Sequence, residues 1–530
     1  MPVVRPAYNR RMSLQPPGIR LAELVATLSL ATDLGLGQPM EHVIRQTLIA
    51  LRMSEFLGLK ESDRVVVYYA GLLAWVGCHT DAYEQAKWFG DDISLKADGL
   101  RVVDPGPAFL LSHLGAGKPL LVRARLALAF LGAMRRGDLI DLASHWLAAD
   151  ELAGHLGLGN DVRQSLKESY ERWDGKGVSG VKGDEIRLPS RLVYLADVVA
   201  VFHRTAGMDA AVAIAKRRSG THFDPMLVDL FCEQAPALLD GLDTASTWDA
   251  VLAAEPQLGK LVPAEKFDEV LEAIADFTDL KSPYTIGHSR SVADLAAAAA
   301  LGYGLSEGEA ATVRRAGLVH DIGRLGVSNS IWDKKGNLTQ SEMERVRLHP
   351  YLSERMLAFS PALAPLGAIA VQHHERLDGS GYPRSVSGEG ITPAGRILAA
   401  ADAYHAMVEL RPHRPALSPD DAASELRAEV TAGRLDGEAV NAVLRAAGHR
   451  VRARRDWPAG LTAREVEVLK LVARGFSNRE IAESLVISRK TAGNHIEHIY
   501  TRIGVSNRAR ASLFAMKHGL LTDEYLSDQT

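Results

Sequence analysis

Cysteine is almost missing from this chain. Cys78 and Cys232 are the only two in 530 residues. They stand too far apart for metal-type spacing, which excludes a disulfide framework and a Cys-rich metal site and predicts a reducing compartment. Aromatic residues are sparse, at 6% of the chain, while Ala and Leu abound, which favours helices. Neither sign of charge dominates. The net charge is −4, so the whole molecule is no generic polyanion binder and any nucleic-acid site must be local. The basic stretch from Met1 to Arg20 carries no apolar run of signal-peptide or membrane length, and Ala296–Leu301 is too short to span a bilayer. A cytoplasmic protein without a membrane partner is the expectation. Apolar content of 47% is ordinary for a globular protein, and 530 residues predict about three or four domains.

Against this plain background one stretch stands out: His373-His374-Glu375-Arg376-Leu377-Asp378-Gly379-Ser380-Gly381-Tyr382-Pro383. Upstream lie His288, the pair His320-Asp321 followed by Ile322-Gly323-Arg324, and His349; downstream lies Asp402 at the end of an apolar run. Imidazoles and carboxylates are the usual ligands of first-row divalent metals. A lone helical His is more often a hydrogen-bonded core residue. Five histidines and two aspartates in apolar helical settings are not explained that way. Adjacent residues in a helix point about 100° apart, which suits one bridging carboxylate and one terminal imidazole at His320-Asp321.

The His-Asp pair, the His-His-Glu triplet and the Gly-Tyr-Pro turn resemble an HD-GYP domain, a branch of the HD metal-dependent phosphohydrolases, over about residues 263–450. The resemblance implies that His288, His320, Asp321, His349, His373, His374 and Asp402 hold two divalent ions, iron or manganese. It implies hydrolysis of cyclic di-GMP to linear pGpG, with Asp321 bridging the metals. Arg324, Arg411 and Arg414 would contact substrate phosphate, and Gly381, Tyr382 and Pro383 would shape the pocket lip. Three positions depart from the family: Arg324 replaces a common Lys, Tyr284 stands where some members have a metal-binding Glu, and Tyr404-His405-Ala406 replaces Tyr-Asp-Ala. Tyr284 argues for two metals rather than three; His405 is read as inert. Ser282-Pro283-Tyr284-Thr285 reads as a helix start.

The first half repeats the second in worn form. Ala70 to Cys78 aligns with Ala316 to Arg324, His42 with His288, Glu171 to Gly177 with Glu375 to Gly381, Arg191 to Asp197 with Arg396 to Asp402, and His145 with His349. Ala74-Trp75 replaces His320-Asp321, and Ser169-Tyr170 replaces His373-His374. Three scattered ligands do not hold a metal pair, so residues 20–245 read as a non-catalytic copy with an insertion at about 79–144, serving packing, dimerisation or ligand sensing. Residues 1–19 read as a flexible N-terminus and 246–262 as a connector.

Beyond a basic linker at 451–460 the pattern turns to short helices. Thr462 and Glu465 form a predicted capping box, with Val466, Leu469, Leu471 and Val472 at helical spacing behind it. Gly475 ends that helix; Ser477–Leu485, Arg489–Ile503 and about Asn507–His518 follow. Residues 461–525 resemble the four-helix LuxR-type DNA-binding domain. On its third helix Arg489 and Lys490 suit phosphates, and Thr491, Asn494 and His495 lie where a recognition helix meets DNA. The resemblance implies a homodimer on DNA, paired through the last helix. The expected whole is an all-α transcription regulator carrying a cyclic-dinucleotide phosphodiesterase. The alternatives are a nucleotide sensor with little turnover or a hydrolase of another nucleotide.

Overall fold

The computed structural model describes residues 19–101, 107–116, 118–136, 143–169, 171–243, 246–256, 260–450, 457–485, 487–518 and 520. Most of the expected flexible N-terminus, residues 451–456 of the basic linker, and Tyr170 lie outside them. The chain forms two compact units, Met1–His449 and Arg450–Thr530.

The first unit is helical. Among the described residues its only sheet is a two-stranded ribbon in which Ile19–Arg20 pairs antiparallel with Leu261–Val262. In the second half, helices His288–Tyr303, Glu307–Val319, Pro393–Val408 and Gly437–Ala446 pack around one core. Their starts are written in the sequence: Ser306 and Glu309 close a capping box, and Thr392 caps a helix with Pro393 in its first turn. Val292, Ala293, Ala296, Ala299 and Ala300 are fully buried, and these small side chains let the next helix approach closely. A Cβ on Gly317 would lie 2.7 Å from the Ala293 Cα.

The first half is built on His42–Phe56, Glu61–Leu73 and Leu188–Arg218, and the repeat is visible in its contacts. A Cβ on Gly323 would strike the His349 carbonyl oxygen at 2.1 Å, and one on Gly77 would strike that of His145 at 1.9 Å. Gly381 abuts the Glu375 Cα and Arg376 nitrogen; Gly177 abuts the Glu171 Cα and Arg172 nitrogen. Buried Glu375 accepts from the backbone N–H groups of Arg384 and Val386, and Glu171 accepts from that of Ser179. The glycine turn is therefore held from inside by a carboxylate in both halves. The insertion folds as helices Ala82–Phe89, Asp92–Arg101, Pro107–His113 and Leu120–Arg136 around Phe89, Leu95, Leu114 and Phe130.

Leu188–Arg218 is long and apolar enough to cross a membrane by composition. It breaks at Gly207 (φ 83°), and Leu192, Val193, Leu195, Val199 and the charged Asp197 are buried in the core. Two local expectations are corrected. Ser282–Gly287 forms turns and the helix starts only at His288, because Gly287 takes a left-handed conformation and Ser282 is turned to Asp333. The stretch 246–262 is more than a linker strand of chain: it holds the helix Thr247–Ala253, with Trp248 buried.

The second unit has four helices, Ala463–Ala473, Asn478–Ser484, Arg489–Ile503 and Arg508–Lys517. Capping boxes start the first at Thr462 and the second at Ser477; Ser488 and Asn507 cap the others. Val466, Leu469, Val472, Ile481, Ala492 and Ile499 form the core.

Candidate functional site

The structure brings His288, His320, Asp321, His349, His373, His374 and Asp402 into one cluster, buried except for half-buried His374. The helix expected to carry His320-Asp321 stops at Val319, and His373-His374 lie in a turn after helix Ala364–Ala370. Helix ends leave carbonyls without intrahelical partners. Three histidines use them. The Nδ1–H groups of His320, His349 and His373 donate to the carbonyls of Gly317, Val346 and Ala370, at 2.7, 2.6 and 2.6 Å. Each bond fixes the tautomer and leaves Nε2 as a bare acceptor facing inward.

Asp321 lies between two sets of these nitrogens. Its Oδ1 is 3.3 Å from His349 Nε2 and 3.7 Å from His373 Nε2; its Oδ2 is 3.5 Å from His320 Nε2 and 3.9 Å from His288 Nε2. Asp402 sits opposite, with Oδ1 3.3 Å from His288 Nε2 and Oδ2 3.8 Å from His374 Nδ1. Three candidate ligand groups result: His349 with His373 and His374, His288 with His320 and Asp321, and His288 with His405 and Glu409.

The donor set fits divalent cations. His349 Nε2 and His373 Nε2 face each other at 3.1 Å, although the Nδ1 of each ring already carries its proton. Two lone pairs at that distance require a cation or an added proton between them. His320 Nε2 is buried with no hydrogen-bond partner. Burial and the neighbouring imidazoles push His373 down to about 3 and His374 well down, so both are neutral, as ligands must be. Burial would raise Asp321 and Asp402, but His320 and Arg324 beside the first and His288 beside the second hold both well below the usual carboxylate range. Burial would lower His288, yet Asp402 and Glu409 outweigh it and push it up to about 9. Positive charge is called for at that position.

The proposed substrate contacts divide. Arg324 Nη1 lies 3.1 Å from Asp321 and its guanidinium stacks 3.9 Å over Trp332. Arg411 is held by Glu409 at 2.7 Å. Both border a cavity of about 240 Å³ that opens onto the cluster. Arg414 borders it too, but its guanidinium donates to the carbonyls of Ala406, Met407 and Pro415. Tyr382 lines the cavity with its ring 4.7 Å from that of His374. Gly381 and Pro383 lie in the turn behind it, where a Cβ on Gly381 would come within 2.4 Å of backbone. Glu409 escaped the sequence reading. It accepts from His288 Nδ1 at 2.9 Å and lies 2.9 Å from His405 Nδ1. Its spacing of four from His405 and seven from Asp402 was the available signal.

In the first half the surviving histidines take aspartate partners. His42 Nε2 meets Asp197 Oδ1 at 2.9 Å, His145 Nε2 meets Asp81 at 2.9 Å, and Trp75, in the place of Asp321, donates to Gln46. The described residues there hold no metal-ligand group.

In the second unit Arg489, Lys490, Thr491 and Asn494 are exposed on one side of their helix, with His495 half-buried; Ala492, Ile496 and Ile499 face the core.

A helical fold around a clustered His-Asp pair with further histidines defines an HD domain. The HD domain family model matches residues 272–439, and the model for bacterial regulatory proteins of the luxR family matches 459–515. The 3'3'-cGAMP-specific phosphodiesterase 3 of Vibrio cholerae is 32% identical over 427 residues, 78% of this chain and 91% of the relative. The cyclic di-GMP phosphodiesterase response regulator RpfG of Xanthomonas campestris pv. campestris is 35% identical over 184 residues, and a cyclic di-GMP phosphodiesterase of Thermotoga maritima is 36% identical over 180; the match spans 48% of each. A crystal structure of a cyclic GMP-AMP-specific phosphodiesterase from V. cholerae superposes with a TM-score of 0.55 at 26% identity, covering 82% of this chain and 99% of that one. The chain belongs to the HD-GYP family and carries a LuxR-type helix-turn-helix domain at its C-terminal end.

Proposed function

We propose that the second half of the first unit hydrolyses a phosphodiester bond of a cyclic dinucleotide and that the second unit binds DNA, making the protein a transcription regulator. The placement of Asp321 carries the reading: its two oxygens face two separate groups of inward-pointing imidazole nitrogens. That is the arrangement a bridged pair of ions needs. Iron or manganese held there, by His349, His373 and His374 on one side and His288, His320 and Asp402 on the other, would lower the pKa of a water and neutralise charge at phosphorus. The chain's own groups set the geometry. The helix-end carbonyls and Glu409 hold the rings in orientation, and Arg324, stacked on Trp332, borders the cavity, where its guanidinium would meet a substrate phosphate. Tyr382 closes the wall beside His374.

The relative matched over nearly its whole length is specific for 3'3'-cGAMP, which makes that molecule the first substrate to test, with cyclic di-GMP beside it. A sensor with little turnover is favoured by one observation, that Arg414 is tied to backbone carbonyls. Exposed Leu513 and Met516 on the last helix support a homodimer on DNA. The test is turnover of both dinucleotides by the full chain, loaded anaerobically with iron or manganese, against the His320→Ala/Asp321→Ala variant. Linear product from the unaltered protein alone, with loss of bound metal in the variant, is expected. No product from fully metallated protein overturns hydrolysis in favour of the sensor.

A further inference from the structure

A second cavity, of about 330 Å³, adjoins the one at the cluster. Tyr83, Lys87 and Lys118 from the insertion form one wall; Asn329, Lys334 and Lys335 from the second half form the other. Asp333 borders both cavities, and the rings of Tyr83 and Tyr284, one from each, lie 6.4 Å apart. Its charge is one-sided. Lys334 is paired with Glu342 at 2.6 Å. Among the described residues no carboxylate lies within ion-pair distance of Lys87, Lys118 or Lys335. Asp333 is the one acid on the rim among the described residues, and it is turned to the Ser282 hydroxyl and the Asn329 amide.

The wall is anchored. Asp92, fully buried at the start of an insertion helix, accepts from the Ser328 hydroxyl at 2.7 Å and the Asn329 N–H at 2.8 Å, and faces the Lys281 ammonium at 3.4 Å. The insertion is thereby fixed to the very segment that carries Lys334 and Lys335. Size points the same way. The 240 Å³ at the cluster is below the roughly 300–1,000 Å³ of ordinary ligand sites, whereas the two cavities together fall within it. A ring of two nucleotides has two phosphates, and only one can sit at the cluster.

We propose that this second cavity is the distal subsite for the cyclic dinucleotide, with Lys87 and Lys118 of the worn copy and Lys335 of the intact one on the phosphate that is not cleaved. The proposal rests on the phosphodiesterase reading above. It gives the worn first half a direct part in substrate recognition.

The test is steady-state kinetics of the metal-loaded full chain with 3'3'-cGAMP. Lys87→Glu/Lys118→Glu should raise KM at least about tenfold, since charge-assisted phosphate contacts are lost, with kcat within about twofold. Lys87→Arg/Lys118→Arg should keep the wild-type KM. Metal content and unfolding midpoint, equal in all three proteins, report folding. An unchanged KM in the Glu variant overturns the subsite, even if that variant loses affinity for inorganic pyrophosphate, which would mark a separate anion site. If the wild type turns over nothing, the phosphodiesterase reading fails by itself. Calorimetric Kd values for 3'3'-cGAMP then decide: weaker binding by the Glu variant supports the subsite, and equal binding overturns it.

Discussion

Removing the Asp92 carboxylate should cost the first unit about 3–5 kcal/mol, the range for breaking a buried ion pair from one side. Asp92 has no exposed surface and Lys281 only 3%. An Asp92→Ala change strands the Lys281 ammonium, leaves Lys96 without the carboxylate 3.9 Å away, orphans the Asn329 N–H, and leaves the Ser328 hydroxyl with Ser330 alone. A loss of this size is a large part of the about 5–15 kcal/mol that folded proteins have in total. Equilibrium urea unfolding of wild type and variant measures it. A loss below about 1 kcal/mol would mean that water already reaches the pair, and would refute the claim that this contact locks the insertion. Acid–base behaviour gives a second check. Burial lowers Lys281, and Asp92 opposes that. Without Asp92 the ammonium has less support and its folded pKa falls further below the unfolded value. A lysine so depressed binds fewer protons folded than unfolded, so stability rises with pH through that window. The Asp92→Asn variant should therefore regain stability as pH rises toward the unfolded lysine value of about 10.4. Asp92→Leu with Lys281→Met should recover more than half of the single-variant loss, because an apolar pair leaves no charge stranded.

Two further predictions concern other parts of the chain. Burial would lower His145, but Asp81 and the Cys78 sulfur outweigh it and push it up to about 10. A histidine raised above its unfolded value near 6.5 gives stability that is complete below that pH and is lost as pH climbs through about 10. The gap in unfolding midpoint between wild type and His145→Gln should thus narrow from pH 6 to pH 10; a constant gap would count against the ion pair. On DNA, Lys490→Ala/Asn494→Ala should weaken a gel shift by at least about tenfold, since a base-edge contact is worth about 1–3 kcal/mol and a phosphate contact adds to it. An undiminished shift would remove this helix as the reader.

The first half keeps backbone contacts of the second without, among its described residues, a metal-ligand group. The close approaches at Gly77 and Gly177 persist, while Trp75 stands in the place of Asp321 and His42 and His145 take aspartate partners of their own. Packing restricts the glycines whether or not metal chemistry survives.

The seven residues that cluster were legible in the sequence, because metal chemistry admits few residue types and seven of them recur in one order. The helix starts at Thr462, Ser488 and Asn507 were legible because a cap is a local bond, made within three residues. What fixes these rings was not legible. The carbonyls of Gly317, Val346 and Ala370 are invisible to side-chain patterns, and where helices stop decides which carbonyls are free. Glu409 reaches His288 across 121 residues, and Asp92 reaches Asn329 across 237. Arg414 looked like a phosphate ligand until its guanidinium was found on three carbonyls. Residue type and local spacing decide what chemistry a chain can perform. Long-range packing alone decides which groups meet and which are turned away, since such contacts leave no period in the sequence.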